Sequence, residues 1–365
     1  MRDSNAMSPD SNTDPTQNSS SDPRRLRTID AHTAGEPLRL IVDGFPPVQG
    51  RTILEQRDFA REHYDHLRRA LMHEPRGHAD MYGALLTPPE HEGSHAGILF
   101  MHNEGFSTMC GHGMIAVATI LIERGMMDLP READGSVRLT LDAPAGQIRT
   151  RARMDAARVA AVSFRNVPSF VLHPAVPVKL GTREIRADVA FGGAFYAIVD
   201  SEAVGIPILP ERLADLRRIG MDIKHAVETA VTVAHPLEPG LHGIYGTIFT
   251  GPPHHERADL RNVTVFADAE VDRSPCGSGT AAVMAVLSAM GMFVEPDQVF
   301  AHESIIGTLF RGRVAERTTL PIPNSTTPDS RLEAIVPEIE GEAYIIGEST
   351  FIIDERDPLK YGFRL

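Results

Sequence analysis

The 365-residue chain contains two cysteines, and each opens the same short pattern. Cys110-Gly111-His112-Gly113-Met114-Ile115-Ala116 and Cys276-Gly277-Ser278-Gly279-Thr280-Ala281-Ala282 both fit C-G-x-G-x-x-A. Each leads an apolar run that ends at a glycine, Gly125 and Gly291. A cysteine at a helix N-terminus has its thiolate stabilised by the helix dipole and by unpaired N–H groups. The glycines let backbone approach a ligand, and the free amides of such turns suit a carboxylate. Two turns that face each other would hold one carboxylate and set a sulfur on each side of the adjacent carbon. One thiolate removes the α-proton, and the opposite thiol returns a proton to the other face. Asp272, four residues before Cys276, is placed to hold a substrate ammonium or secondary amine. His112, two residues after Cys110, is placed to orient or polarise that sulfur. Nothing in the chain points to a cofactor, so the carbanion-like state would rest on carboxylate hydrogen bonds and a dry cleft.

Plainer readings compete. A lone buried cysteine is usually a small apolar core residue, and only the shared glycine frame lifts this pair above that reading. A metal site built from Cys110, His112 and Cys276 lacks a fourth ligand and normal zinc spacing, so no metal is expected. A redox disulfide lacks a C-x-x-C motif. Asp272-Arg273-Ser274-Pro275 by itself reads as a turn and cap. His73, His78, His91, His95 and His102 read as surface or satisfied histidines.

The elements that position these residues are visible in the pattern. Length favours two domains, since a single core rarely grows past about 250–300 residues. An apolar fraction of 42% supports a sizeable core. A net charge of -13 argues against nucleic acid or an anionic membrane as partner. Lysine occurs only at Lys179, Lys224 and Lys360, which leaves few candidates for a Schiff base. No apolar stretch reaches the ~18 residues of a spanning helix. Without an apolar signal-peptide core, two cysteines suggest free thiols in a reducing cytoplasm. Residues 1–25 are rich in Ser, Asp, Asn and Pro and read as a disordered tail, with order beginning near Thr28.

Thr28 to Val42 reads as strand, turn, strand, and residues 51–73 as an exposed amphipathic helix. Gly97 to Met101 reads as a strand leading to a buried helix over 110–124, with Ser107 and Thr108 as caps. Residues 137–171 alternate like strands, and Pro168 to Pro177 reads as a linker. Strand-like segments recur at 189–199, 244–250 and 261–266, before a second buried helix through Leu287 with Pro275 in its first turn. Tyr344 to Ile353 is a closing strand. Strands, buried helix, strands occur twice, which predicts two similar α/β (α+β) domains with a cleft between them.

These residues carry a resemblance. Met109-Cys110-Gly111-His112-Gly113 and Asp272 to Thr280 resemble the two active-site signatures of the proline racemase family. Asp30 to Pro37, Glu74 to Met81 and Phe191 to Tyr196 resemble further segments of it, and the likeness covers roughly residues 28–353. The resemblance implies a fold like that of diaminopimelate epimerase, each domain wrapping a sheet around a central helix, with the active site in the cleft between them. It implies domains at 28–175 (with Cys110) and 176–343 (with Cys276), and a strand at 344–365 that returns to the first. It further implies cofactor-independent chemistry on proline or hydroxyproline. Cys110 and Cys276 match the acid/base positions, and Gly111, His112, Gly277 and Ser278 the carboxylate-binding turns. Asp272 matches the contact to the ring nitrogen.

The family holds proline racemases, 4-hydroxyproline 2-epimerases and trans-3-hydroxy-L-proline dehydratases. Typical dehydratases carry threonine at the second thiol position, so Cys276 favours racemisation or epimerisation. Met101 to Met109, Tyr245 to Thr250 and Gly277-Ser278-Gly279 resemble dehydratase forms instead. Dehydration of trans-3-hydroxy-L-proline is therefore the leading expectation and two-cysteine racemisation or epimerisation the alternative. Its partner is a small imino acid, with no nucleic acid or membrane, and a homodimer is left open. A metal or thiol-redox protein and a non-catalytic imino-acid binder are the competing classes.

Overall fold

The computed structural model describes residues 23–295, 297–322 and 330–364. The tail expected over residues 1–25 lies outside the described residues up to position 22, but its last part needs correcting. Arg24 and Arg25 already belong to a strand, pairing through their backbone with Ile353 and Ile352 although both side chains are exposed.

The first half runs β1 (Arg24–Thr33), β2 (Glu36–Asp43), α1 (Ile53–Met72), β3 (Tyr82–Thr87), β4 (Ala96–His102) and β5 (Phe106–Ser107). It continues through α2 (Gly111–Glu123), β6 (Val137–Ala143), β7 (Gly146–Asp155) and β8 (Arg158–Arg165). The second half runs β9 (Phe170–Leu180), β10 (Arg183–Phe191), β11 (Phe195–Asp200), α3 (Ser201–Val204), α4 (Leu213–Ala230), β12 (Gly246–Gly251) and β13 (Leu260–Phe266). Then come β14 (Glu270–Asp272), α5 (Gly277–Ala289), β15 (Phe300–Glu303), β16 (Leu309–Pro321), β17 (Arg331–Gly341) and β18 (Ala343–Ile353).

Backbone pairing threads these strands in the order β18-β1-β2-β3-β4-β6-β7-β8-β17-β16-β15-β13-β12-β11-β10-β9. β5 lies beside β4, and β14 beside β13. The order is the same read from either end. Pairs are antiparallel except β2–β3 and β4–β6 in one half and β11–β12 and β13–β15 in the other. α2 packs on β8, β1 and β18, and α5 on their counterparts β17, β10 and β9. The fold is thus mixed α/β, with a helix at the centre of each repeat.

This symmetry corrects the expected linker. Residues 170–180 form β9, the counterpart of β18, so a boundary at 175 falls inside a strand. Prolines suggest a loop there, but β9 ends the strand order, where a missing N–H is tolerated. Pro174 and Ala175 bulge out opposite Asp188, with Ala175 at φ 52° and its N–H bound by the Asp188 carboxylate at 2.8 Å. The chain also places α4 and the long β16–β17 pair in stretches to which no element was assigned.

The two central helices are apolar on all sides, with residues 111–121 of α2 and 277–286 of α5 buried. Each ends in the same way. Gly125 and Gly291 adopt φ of 58° and 75°, and the residues after them bond back to Leu121 and Leu287. This left-handed stop satisfies the last carbonyls, and glycine is the residue that adopts it without strain.

Candidate active site

The two helix starts meet head to head. A Cβ on Gly111 would overlap the Gly277 backbone, and one on Gly277 would overlap Gly111. Both positions therefore demand glycine for close approach. The third residues demand it for another reason. Side chains at Gly113 and Gly279 would lie 2.8 and 2.9 Å from the Cys110 and Cys276 sulfurs. With glycine there, each amide donates to its sulfur, at 3.2 and 3.3 Å. The N-cap of α2 is thus Cys110 itself, not Ser107 or Thr108, and the N-cap of α5 is Cys276. Pro275 stands before the cap rather than in the first turn. The first helical bonds start at Met114 and Thr280, so the N–H groups of Gly111, His112, Gly277 and Ser278 precede the ladder.

The two caps differ in conformation. Cys110 is extended, at φ -145° and ψ 107°, whereas Cys276 is held at φ 62° and ψ 111°. A non-glycine residue there carries strain of about 1–3 kcal/mol that the surroundings must impose. The constraint is visible. Asp272 accepts from Ser274 N–H at 2.8 Å and from its hydroxyl at 2.7 Å, while the Ser274 hydroxyl oxygen accepts the Cys276 N–H at 3.1 Å. Arg273 ties the same turn to the other half, donating its N–H to Glu36 at 2.7 Å. Glu36 lies in the segment Asp30 to Pro37, and its residue type alone assigns it no role.

Different neighbours flank each sulfur. The His112 ring nitrogens lie 3.4 and 3.5 Å from the Cys110 Sγ, and His112 Nδ1 lies 3.8 Å from Asp272. The Cys276 Sγ lies 3.7 Å from the Tyr196 hydroxyl and 3.9 Å from that of Ser278, and those two hydroxyls are 2.7 Å apart. All seven residues singled out (Cys110, Gly111, His112, Asp272, Cys276, Gly277 and Ser278) therefore converge. Sequence reasoning gave no role to Tyr82, Tyr196 or Tyr245, because tyrosines on strands read as core. His73 and His102 are buried and hydrogen-bonded, His73 to the Asn103 carbonyl and His102 by accepting the Glu104 N–H.

Burial dominates the electrostatics. It pushes the Cys110 thiol well above its ordinary 9.0, and the Gly113 N–H offsets only part of this. Burial, then the charge of Asp272, push Cys276 up to about 12. The helix-end stabilisation expected of a thiolate is thus outweighed by burial. Burial also holds His112 below 6.5 and so keeps the imidazole neutral. A cationic ligand beside the sulfurs would reverse the first effect, since a nearby positive charge favours a thiolate. Alkylation of the free protein by iodoacetamide should therefore keep accelerating above pH 9.0. kcat should level off at a lower pH, because it reports the complex. Coincident profiles would contradict this account.

Both cysteines are free thiols. Among the described residues no three His, Cys, Asp or Glu side chains converge as metal ligands, and no helix is long and apolar enough to cross a membrane. A cavity of about 630 Å³ is lined in part by His102, Ser107, Lys224 and Tyr245, and by none of the seven residues singled out.

Known proteins resemble this chain. The chain is 48% identical to a trans-3-hydroxy-L-proline dehydratase of Bacillus thuringiensis subsp. konkukian, over 93% of this chain and 97% of that one. It is 42% identical to a 3-hydroxyproline 2-epimerase of Burkholderia multivorans, over 93% and 98%. The crystal structure of a hydroxyproline epimerase from Agrobacterium vitis, with bound trans-4-hydroxy-L-proline, superposes with a TM-score of 0.83 at 29% identity, covering 94% and 96%. The two wrapped helices are those of the diaminopimelate-epimerase-like fold. The proline racemase family model matches residues 28–364, and with the duplicated thiol-capped helices it shows that this chain belongs to the proline racemase family.

Proposed function

We propose that the chain is an enzyme that removes the α-proton of trans-3-hydroxy-L-proline and dehydrates it to Δ1-pyrroline-2-carboxylate, without a cofactor. The observation that carries this reading is the head-to-head contact of two thiol-capped helix starts. The substrate carboxylate bonds the N–H groups of Gly111, His112, Gly277 and Ser278. Its secondary ammonium sits by Asp272 and His112. That positive charge lowers the Cys110 thiol towards ionisation. The Cys110 thiolate takes the α-proton, the electron pair forms the Cα=C3 bond, and the 3-hydroxyl, protonated by an acid of the site as the C3–O bond breaks, departs as water. The resulting enamine tautomerises to the imine. The dehydratase relative, 48% identical, supports the choice of substrate. Two free thiols support a reducing cytoplasm as its place.

A second reading is favoured by Cys276. Where no group can leave from C3, the Cys276 thiol reprotonates Cα from the opposite face and the product is the epimer. The 3-hydroxyproline 2-epimerase relative supports this activity beside the first. An assay of L-proline, trans-4-hydroxy-L-proline and trans-3-hydroxy-L-proline in deuterated water reads exchange, inversion and elimination together. Elimination from the 3-hydroxy substrate is the expected result. Exchange and inversion without elimination would establish the second reading instead, and no exchange with any of the three would leave a binding protein.

A further inference from the structure

We infer that the ring 3-hydroxyl is received by a cluster of three protein hydroxyls, Ser107, Tyr82 and Tyr245, and that Tyr245 gives it the proton with which it leaves. This rests on the dehydratase reading above.

The donors in the cluster can be assigned. Tyr82 donates its O–H to Ser107 at 2.6 Å, and the Tyr82 and Tyr245 hydroxyl oxygens are 3.1 Å apart. A phenol has one proton, so Tyr245 must be the donor to Tyr82. Tyr82 is buried, and Tyr245 is half-buried as a residue, but its phenol is enclosed and near enough to feel the charge of both the Cys110 and the Cys276 sulfur. The Tyr245 O–H can therefore turn from Tyr82 to a ligand. Its ring is held in place for this. The ring stacks on Phe266 at 5.4 Å, while the Tyr245 backbone N–H donates to the Phe195 carbonyl and its backbone carbonyl accepts from the Ala267 N–H.

Stereochemistry selects this cluster over the other hydroxyl pair. In trans-3-hydroxy-L-proline the C3 hydroxyl is opposite the carboxylate, on the ring face that also bears the α-hydrogen. The acid must then stand on the same side as the base. The Tyr82 ring meets His112 edge-on at 4.8 Å, on the Cys110 side, and Ser107 is three residues before Cys110. The Tyr196–Ser278 pair stands instead at Cys276, which serves the opposite face, and Tyr245, edge-on to Tyr196 at 5.9 Å, reaches the Cys110 side through its hydroxyl's contact with Tyr82. Burial holds the Tyr245 phenol well above its ordinary 10.0, so it stays protonated until hydroxide develops.

Atoms balance. The C3–O bond breaks, and the departing oxygen takes the phenolic proton and leaves as water. The proton that Cys110 drew from Cα then passes to the tyrosinate, which restores the thiolate.

The test is Tyr245→Phe with trans-3-hydroxy-L-proline in deuterated water. General-acid assistance is worth about 100-fold or more, so dehydration should fall by at least that factor. Cα–H exchange, which needs no leaving group, should fall far less, and recovered substrate should become deuterated. Tyr82→Phe keeps the buried ring and removes the partner hydroxyl. It should shift the exchange-to-elimination ratio in the same direction, and it serves if the first variant misfolds. Equal loss of exchange and elimination, or no loss, in both variants would overturn the inference while leaving the dehydratase reading intact. A wild-type protein that exchanges without eliminating would overturn that reading instead.

Discussion

Cys110→Ser loses dehydration by about 1000-fold or more, within the range that general-base catalysis supplies. A serine hydroxyl cannot ionise where even the more acidic thiol is pushed up by burial. The fold should survive, which makes the result informative. The Cys110 sulfur caps α2 by accepting the Gly113 N–H at 3.2 Å, and serine is among the preferred residues at such a cap. A thermal melt should therefore differ little from the wild type while turnover disappears. Retained activity would sink the assignment of Cys110 as base. Lost activity with a collapsed melt would instead make the cysteine a structural cap.

Cys276→Thr separates the two reactions. Elimination needs one base at Cα, so dehydration persists, whereas inversion of L-proline or a 4-hydroxyproline loses its second acid/base group and falls about 1000-fold. The substitution also has a structural cost. Position 276 has φ 62°, and a β-branched residue there is a genuine outlier. Strain of about 1–3 kcal/mol should lower the melting temperature unless the turn relaxes. Chiral chromatography and a dehydration assay on one preparation check both parts. Equal loss of both reactions would mean that Cys276 is needed for elimination as well, for example to hold Ser278 and Tyr196 in place.

Much of the site was legible because its signals are local. A cysteine before two spaced glycines, an apolar run and a terminal glycine describe a buried helix from cap to stop, and the chain carries that description twice. Asp272 and His112 stand within four residues of a thiol, so spacing alone brings them near. The prolines of 168–177 misled for the same reason. Proline speaks only of local backbone, and whether a strand tolerates it depends on its place in the sheet, which for β9 is the edge.

By themselves, then, the residues determined the two thiol-capped helices, their glycine frames and the carboxylate and histidine that accompany them. Only the tertiary structure decided that the two starts touch at Gly111 and Gly277, because that contact depends on two eight-strand sets joined where β8 pairs with β17. It alone made Glu36 a partner of Arg273, 237 residues away, and gathered Tyr82, Ser107 and Tyr245 from three segments. It also reversed the thiol electrostatics. A helix end favours a thiolate through its nearest amides, but burial removes water from every side, and in the closed cleft desolvation is the larger effect.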